Sequence, residues 1–253
     1  MKISKYTDEK LLVFKRMGTS ALWASANIVR NHANPKQRHI YAVDVCCGDG
    51  EHSTMQLFDC LVEIEAKTGV TFSLYGVEKR GDAARHAQAL YVQDDRVTIL
   101  HGACETLVPE IARLIYEDSI DRGITPFGVA IYDSYDGANW QLWVDFSLLH
   151  RTIDLVLLHS AGWRRHPYRG KDWQDAQKLS INRPRVRKTY MLIGERWGKV
   201  DFTTLYFTNS GKLAAPRPGL GMESEGSARG KERVRHISTT KQEREEEDAL
   251  TVA

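Results

Sequence analysis

The sequence lacks any apolar run near the roughly 18 residues that a membrane-spanning helix requires. Its start, Met1-Lys2-Ile3-Ser4-Lys5-Tyr6, also lacks the apolar stretch of a secretory signal, so no membrane role and a cytoplasmic setting are expected. Cysteine is scarce and never paired in spacing. Cys46, Cys47, Cys60 and Cys104 form no CxxC, so neither a metal site nor a disulfide framework is expected. An excess of one charge is missing too, since 35 Lys and Arg face 33 Asp and Glu. Bulk charge therefore names no partner, and any electrostatic signal has to be local. Beyond residue 210 there is no Trp, Tyr or Phe. Residues 211–253 mix Gly, Pro, Ser and dense charge without apolar periodicity, which predicts a disordered tail.

What remains is ample for a folded core: 253 residues in all, 42% of them hydrophobic. Residues 1–210 read as one domain, with residues 1–39 as an N-terminal helical extension. Five apolar runs, at 40–45, 72–77, 96–100, 128–132 and 153–158, have the near-continuous character of parallel strands covered on both faces. Helical patterns at 51–68, 82–92, 104–116 and 140–151 alternate with them. The first of these places Met55, Cys60, Leu61 and Ile64 on one side and ends at Gly69, a plausible C-cap. Runs at 190–195 and 202–207 around Gly198 read as an antiparallel hairpin. The expected fold is α/β: a doubly wound, Rossmann-like, mostly parallel sheet of seven strands with an antiparallel end hairpin.

Ligands of such sheets bind beyond the carboxyl ends of the strands, and the first strand runs into Asp44-Val45-Cys46-Cys47-Gly48-Asp49-Gly50. Glycines at 48 and 50 permit a sharp turn and a close ligand approach just before a helix start. Glu78, after the second strand, can accept hydrogen bonds from both hydroxyls of a ribose. Two cofactors suit that pairing. A dinucleotide turn wants a third small residue, a role open to Ser53, but Asp44 would oppose a pyrophosphate. The same acid matches the cationic amino acid part of S-adenosylmethionine. A nicotinamide-dependent oxidoreductase is the weaker reading.

At these residues the sequence resembles the class I S-adenosylmethionine-dependent methyltransferases, with an acid before a glycine-rich turn and a second acid after the next strand. It departs from their pattern in two places. Cys46 stands at the first glycine position, and Gly102-Ala103-Cys104 lacks the acid often found near the adenine. It also resembles the three-Cys-motif partner proteins, in Tyr6-Thr7-Asp8-Glu9-Lys10-Leu11-Leu12, the Asp44 to Gly50 turn, Glu78 and the runs 153–159 and 202–209. These resemblances imply that Asp44, Cys46, Gly48, Gly50 and Glu78 bind the cofactor, with Ala103 and Glu105 flanking the adenine. The second implies a three-cysteine-motif protein as partner.

Substrate residues are expected further along. Asp133, at the end of the fourth strand, can orient or deprotonate a nucleophile, and His159, ending the fifth, can act as a base beside it. Neither the Asn/Asp-Pro-Pro-Tyr/Phe signature of amino-group nucleobase methylation nor a Pro-Cys pair for cytosine C5 attack is present. Residues 161–189 form a basic insertion: from 164 to 188 nine Lys or Arg face only Asp172 and Asp175, a net of +7. Arg164, Arg165, Arg169, Arg183 and Arg185 are expected to engage phosphates while Tyr168 stacks on a base, which points to nucleic acid or a nucleotide. A non-catalytic accessory protein that binds nucleic acid is the rival from another class.

Overall fold

The run His39–Val45 is buried at every position, as a strand covered on both edges and both faces must be. It is strand β1 of the computed structural model, which describes residues 5–134, 140–150, 152–159, 188–196, 199–208 and 232–238. Around it follow α1 (Lys5–Val29), α2 (Ser53–Thr68), β2 (Thr71–Glu78), α3 (Gly81–Tyr91), β3 (Val97–His101) and α4 (Cys104–Arg122). Then come β4 (Gly128–Ser134), α5 (Trp140–Leu149), β5 (Ile153–His159), β6 (Lys188–Arg196), β7 (Lys199–Thr208) and β8 (Glu232–Ser238). β1 lies between β2 and β4, with β3 outside β2 and β5 outside β4, all parallel. This is an α/β Rossmann-like fold on five parallel strands ordered β3-β2-β1-β4-β5.

Alternation along the strands sorts the core into two layers. Ile40 and Ala42 of β1, Val129 and Ile131 of β4 and Val156 of β5 pack under α1 and α2. Tyr41, Val43 and Val45, with Ala130, Tyr132, Leu155 and Leu157, pack under α4 and α5. The chain thus covers one face up to β3 and the other after it. The point where it switches is the gap between the ends of β1 and β4, where doubly wound sheets hold their ligands.

Past β5 the sheet continues through β7, β6 and β8 with antiparallel pairing. Among the described residues its count is eight, where seven are expected. The extra strand, β8, falls inside the stretch 211–253 that composition marks as tail. Composition averages over that whole stretch, whereas pairing to an open sheet edge uses backbone groups alone and needs only seven residues. A second difference is local. α2 begins at Ser53, two residues later than the expected start, because the turn after Gly50 takes Glu51 and His52. Its buried stripe is Thr54, Leu57, Cys60, Leu61 and Ile64, while Met55 is 37% exposed. The polar Thr54 takes the inward place instead of Met55, and its hydroxyl reaches a buried acid there. Gly69 ends α2 in the left-handed conformation and donates its N–H to Glu65 O at 2.8 Å. Among the described residues no helix is long and apolar enough to cross a membrane.

Candidate functional site

Three acids meet at the carboxyl ends of three neighbouring strands. Asp44 of β1 pairs in register with Gly76 of β2 on one side and Ile131 of β4 on the other. Glu78 and Asp133 each stand two residues beyond those partners, so all three acids lie on the sheet face that α1 and α2 cover. Asp44 is 1% exposed and Glu78 7%, while Asp133 is half-buried.

Each buried carboxylate is tied differently. Asp44 Oδ2 accepts from Ser53 Oγ at 2.7 Å and from Thr54 Oγ1 at 2.6 Å. Burial pushes its carboxyl up to about 6; the two hydroxyls pull it down, and the charges of Asp133 and Glu78 push it further up. Glu78 accepts from backbone groups instead, Oε2 from the Gly48 N–H at 2.9 Å and Oε1 from the Arg80 N–H at 2.8 Å. One lone pair on each oxygen is left over for a ligand. The Gly48 contact also ties the turn after β1 to the end of β2.

The turn itself is built by backbone conformation. Cys46, Gly48 and Gly50 all have positive φ, at 69°, 62° and 83°. Gly48 faces open space: a Cβ there would meet nothing within 4 Å. Gly50 is packed, since a Cβ would come within 3.0 Å of Ala87 Cβ, and its carbonyl accepts from Tyr91 Oη at 2.9 Å. Cys46 is the one non-glycine with positive φ among the described residues, which marks strain at the position where the resembled pattern has glycine. Burial pushes the thiols of Cys46 and Cys47 well above the ordinary range, which disfavours the thiolate that a nucleophile needs.

The remaining expected residues distribute as follows. Ala103 caps α4 and Glu105 lies in its first turn. The adjacent Gly102 N–H donates to Glu78 O at 3.0 Å, which brings this corner to the same strand end. His159 pairs in register with Ser134, one position beyond Asp133. Arg164, Arg165, Tyr168, Arg169, Arg183 and Arg185 lie outside the described residues. Sequence reading missed four contributors: Thr54, Ala87, Tyr91 and the hydroxyl role of Ser53. The spacing offers Ser53 as a small packing residue, but its hydroxyl serves Asp44. The adjacent Ser-Thr pair at a helix start was the available signal.

No protein-family model matches the sequence, and no curated protein matches it. Among solved structures the chain is similar to protein LPL1258 from Legionella pneumophila, at 11% identity and TM-score 0.54, over 90% of this chain and 97% of that one. It is also similar to fibrillarin from Aeropyrum pernix in complex with natively bound S-adenosyl-L-methionine, at 10% identity and TM-score 0.42, covering 76% of each chain. An O-methyltransferase from Bacillus cereus in complex with SAH aligns at 15% identity and TM-score 0.41, over 82% of this chain and 93% of that one. The likeness to LPL1258 shows a shared fold.

Proposed function

We propose that the protein is an S-adenosylmethionine-dependent, methyltransferase-like protein acting on nucleic acid or a nucleotide. The observation that carries this is the set of three carboxylates, Asp44, Glu78 and Asp133, around one glycine turn. Such a site repels a pyrophosphate and suits a ligand that carries cationic sulfonium and ammonium groups. That chemistry favours S-adenosylmethionine over a nicotinamide dinucleotide. The residues fit the group: Gly48 leaves the space that a ligand can fill, and Glu78 keeps two lone pairs for ribose hydroxyls.

In this reading Asp44, Cys46, Gly48, Gly50 and Glu78 hold the cofactor, and Ala103 and Glu105 border its adenine. Bound there, S-adenosylmethionine supplies an electrophilic methyl group. Asp133 orients the attacking nitrogen or oxygen and accepts its proton, with His159 on the neighbouring strand end as a second base. Arg164, Arg165, Arg169, Arg183 and Arg185 engage substrate phosphates, and Tyr168 stacks on a base. The resemblance to the three-Cys-motif partner proteins adds a three-cysteine-motif protein as partner, in the cytoplasm.

Calorimetric titration with S-adenosylmethionine, S-adenosylhomocysteine and NADH tests the cofactor. Binding of the first two alone is expected; binding of NADH alone overturns the reading. Replacing Arg183, Arg185 and Arg187 together by Ala is expected to weaken nucleic-acid binding and to reduce its salt slope by roughly two to three. A triple variant with the wild-type slope removes the basic insertion from the binding face. One observation favours the accessory rival, the strained Cys46 in place of glycine. Nucleic-acid binding without turnover in a radiolabelled methyl-transfer assay on DNA, RNA and nucleotides is its expected signature.

A further inference from the structure

Two hydroxyls from the first turn of α2, those of Ser53 and Thr54, converge on a single oxygen of the buried Asp44 carboxylate. Among the described residues both donors are on Oδ2 and none is on Oδ1. A carboxylate held on one oxygen by two donors cannot turn freely, so its other oxygen keeps a constant aim. Among the described residues the titratable groups that act on Asp44 are all acids: Glu78 from β2, Asp133 from β4, Cys47 and Cys46 in the turn and Tyr91 from α3. With no cation among them, burial and like charge both favour the protonated acid, and only the two hydroxyls oppose this.

We propose that Ser53 and Thr54 are positioning residues that keep Asp44 ionised and aimed, so that the site prefers a ligand with an added positive charge over the counterpart that lacks only that charge. The inference rests on the proposed cofactor, because the methyl donor carries a sulfonium charge that its product has lost. A charged Asp44 then holds the donor and lets the product go. Were Asp44 protonated, donor and product would differ by far less.

The test uses the full chain, with Thr54→Val to remove a hydroxyl at constant shape and Thr54→Ser to restore it. First, the Asp44 carboxyl is titrated by carbon NMR in the ligand-free protein. The wild-type midpoint is expected near 6. Thr54→Val is expected to move it up by about one pH unit, and Thr54→Ser to return it. Second, calorimetry from pH 5 to 8 gives the ratio of S-adenosylmethionine to S-adenosylhomocysteine affinity. That ratio is expected to rise with pH through the Asp44 midpoint, by about tenfold, and to follow the midpoint upward in Thr54→Val. A folded Thr54→Val protein with an unmoved midpoint overturns the positioning role. A wild-type protein that binds neither ligand overturns the cofactor reading and the selectivity built on it. Binding of both ligands at a ratio that ignores pH overturns the selectivity alone.

Discussion

At the scale of single residues, Asp44 carries the tension between fold and site. Its carboxyl is raised to about 6 from the ordinary 3.8, so the ionised form destabilises the folded chain above pH 6. Asp44→Asn keeps an oxygen that can accept from Ser53 and Thr54 without the charge. It is expected to raise the unfolding free energy at pH 8 by about 2 kcal/mol while abolishing binding of a cationic ligand. Thermal denaturation at that pH checks it, and a lower melting temperature would sink the assignment. The two turn glycines separate conformation from packing. Gly48→Ala meets only the penalty of a positive φ, about 1 kcal/mol, since a methyl there has open space. Gly50→Ala adds a contact of 3.0 Å with Ala87, so its loss is expected to be larger, about 2–3 kcal/mol by urea denaturation. Equal losses would show that packing against α3 does not constrain the turn.

At the scale of elements, the strands were legible because each of the five parallel ones is a short apolar run, even though β1 is buried at every position while β3 leaves Thr98 and His101 exposed. Helix ends were less so. The expected start of α2 near residue 51 ignored the turn that follows Gly50, and a periodic count put Met55 where Thr54 is buried. The apolar pattern of α4 ends at 116, but the helix runs to Arg122, because its last turn is held from outside. Tyr41 Oη of β1 donates to Asp118 Oδ2 at 2.7 Å, and Arg122 Nε donates to the same carboxylate at 2.8 Å. The partners are 77 residues apart in the chain, so no local pattern announces them. Tyr41→Phe removes the hydroxyl at nearly constant volume and is expected to lower stability by about 1 kcal/mol in urea denaturation. An unchanged midpoint would mean that this hydrogen bond does not hold the end of α4.

For the whole molecule, the two ends of β1 oppose each other in acid. At the far end from the turn, His39 is 2% exposed, and its ring nitrogens face Thr71 Oγ1 at 2.7 Å and Ser73 Oγ at 3.1 Å. Burial, with the Arg122 charge, pulls its pKa down to about 4, so it stays neutral in the fold, and its 3.8 Å approach to Asp118 is no ion pair at neutral pH. Between pH 6.5 and 4 the unfolded chain protonates His39 and the folded chain does not, so stability falls with acid. Between pH 6 and 4 the folded chain protonates Asp44 and the unfolded chain does not, so stability rises with acid. Each contribution is roughly 3 kcal/mol at most, and the two largely offset. Asp44→Asn removes one of them. Its unfolding free energy is expected to fall more steeply than wild type from pH 6.5 to 4.5 in urea titrations, and parallel profiles would refute the offset.

Apolar runs and glycine positions, which are local, determined by themselves the alternating α/β order, the turn after the first strand and the candidacy of Asp44, Glu78 and Asp133. Only the tertiary structure decided that these acids share one face of three adjacent strands, because strand order and register depend on pairing between distant segments. It alone decided that Ser53 and Thr54 serve Asp44 and that Glu78 braces the glycine turn. A buried carboxylate must find donors wherever the fold brings them, and that choice is made in space and not along the chain.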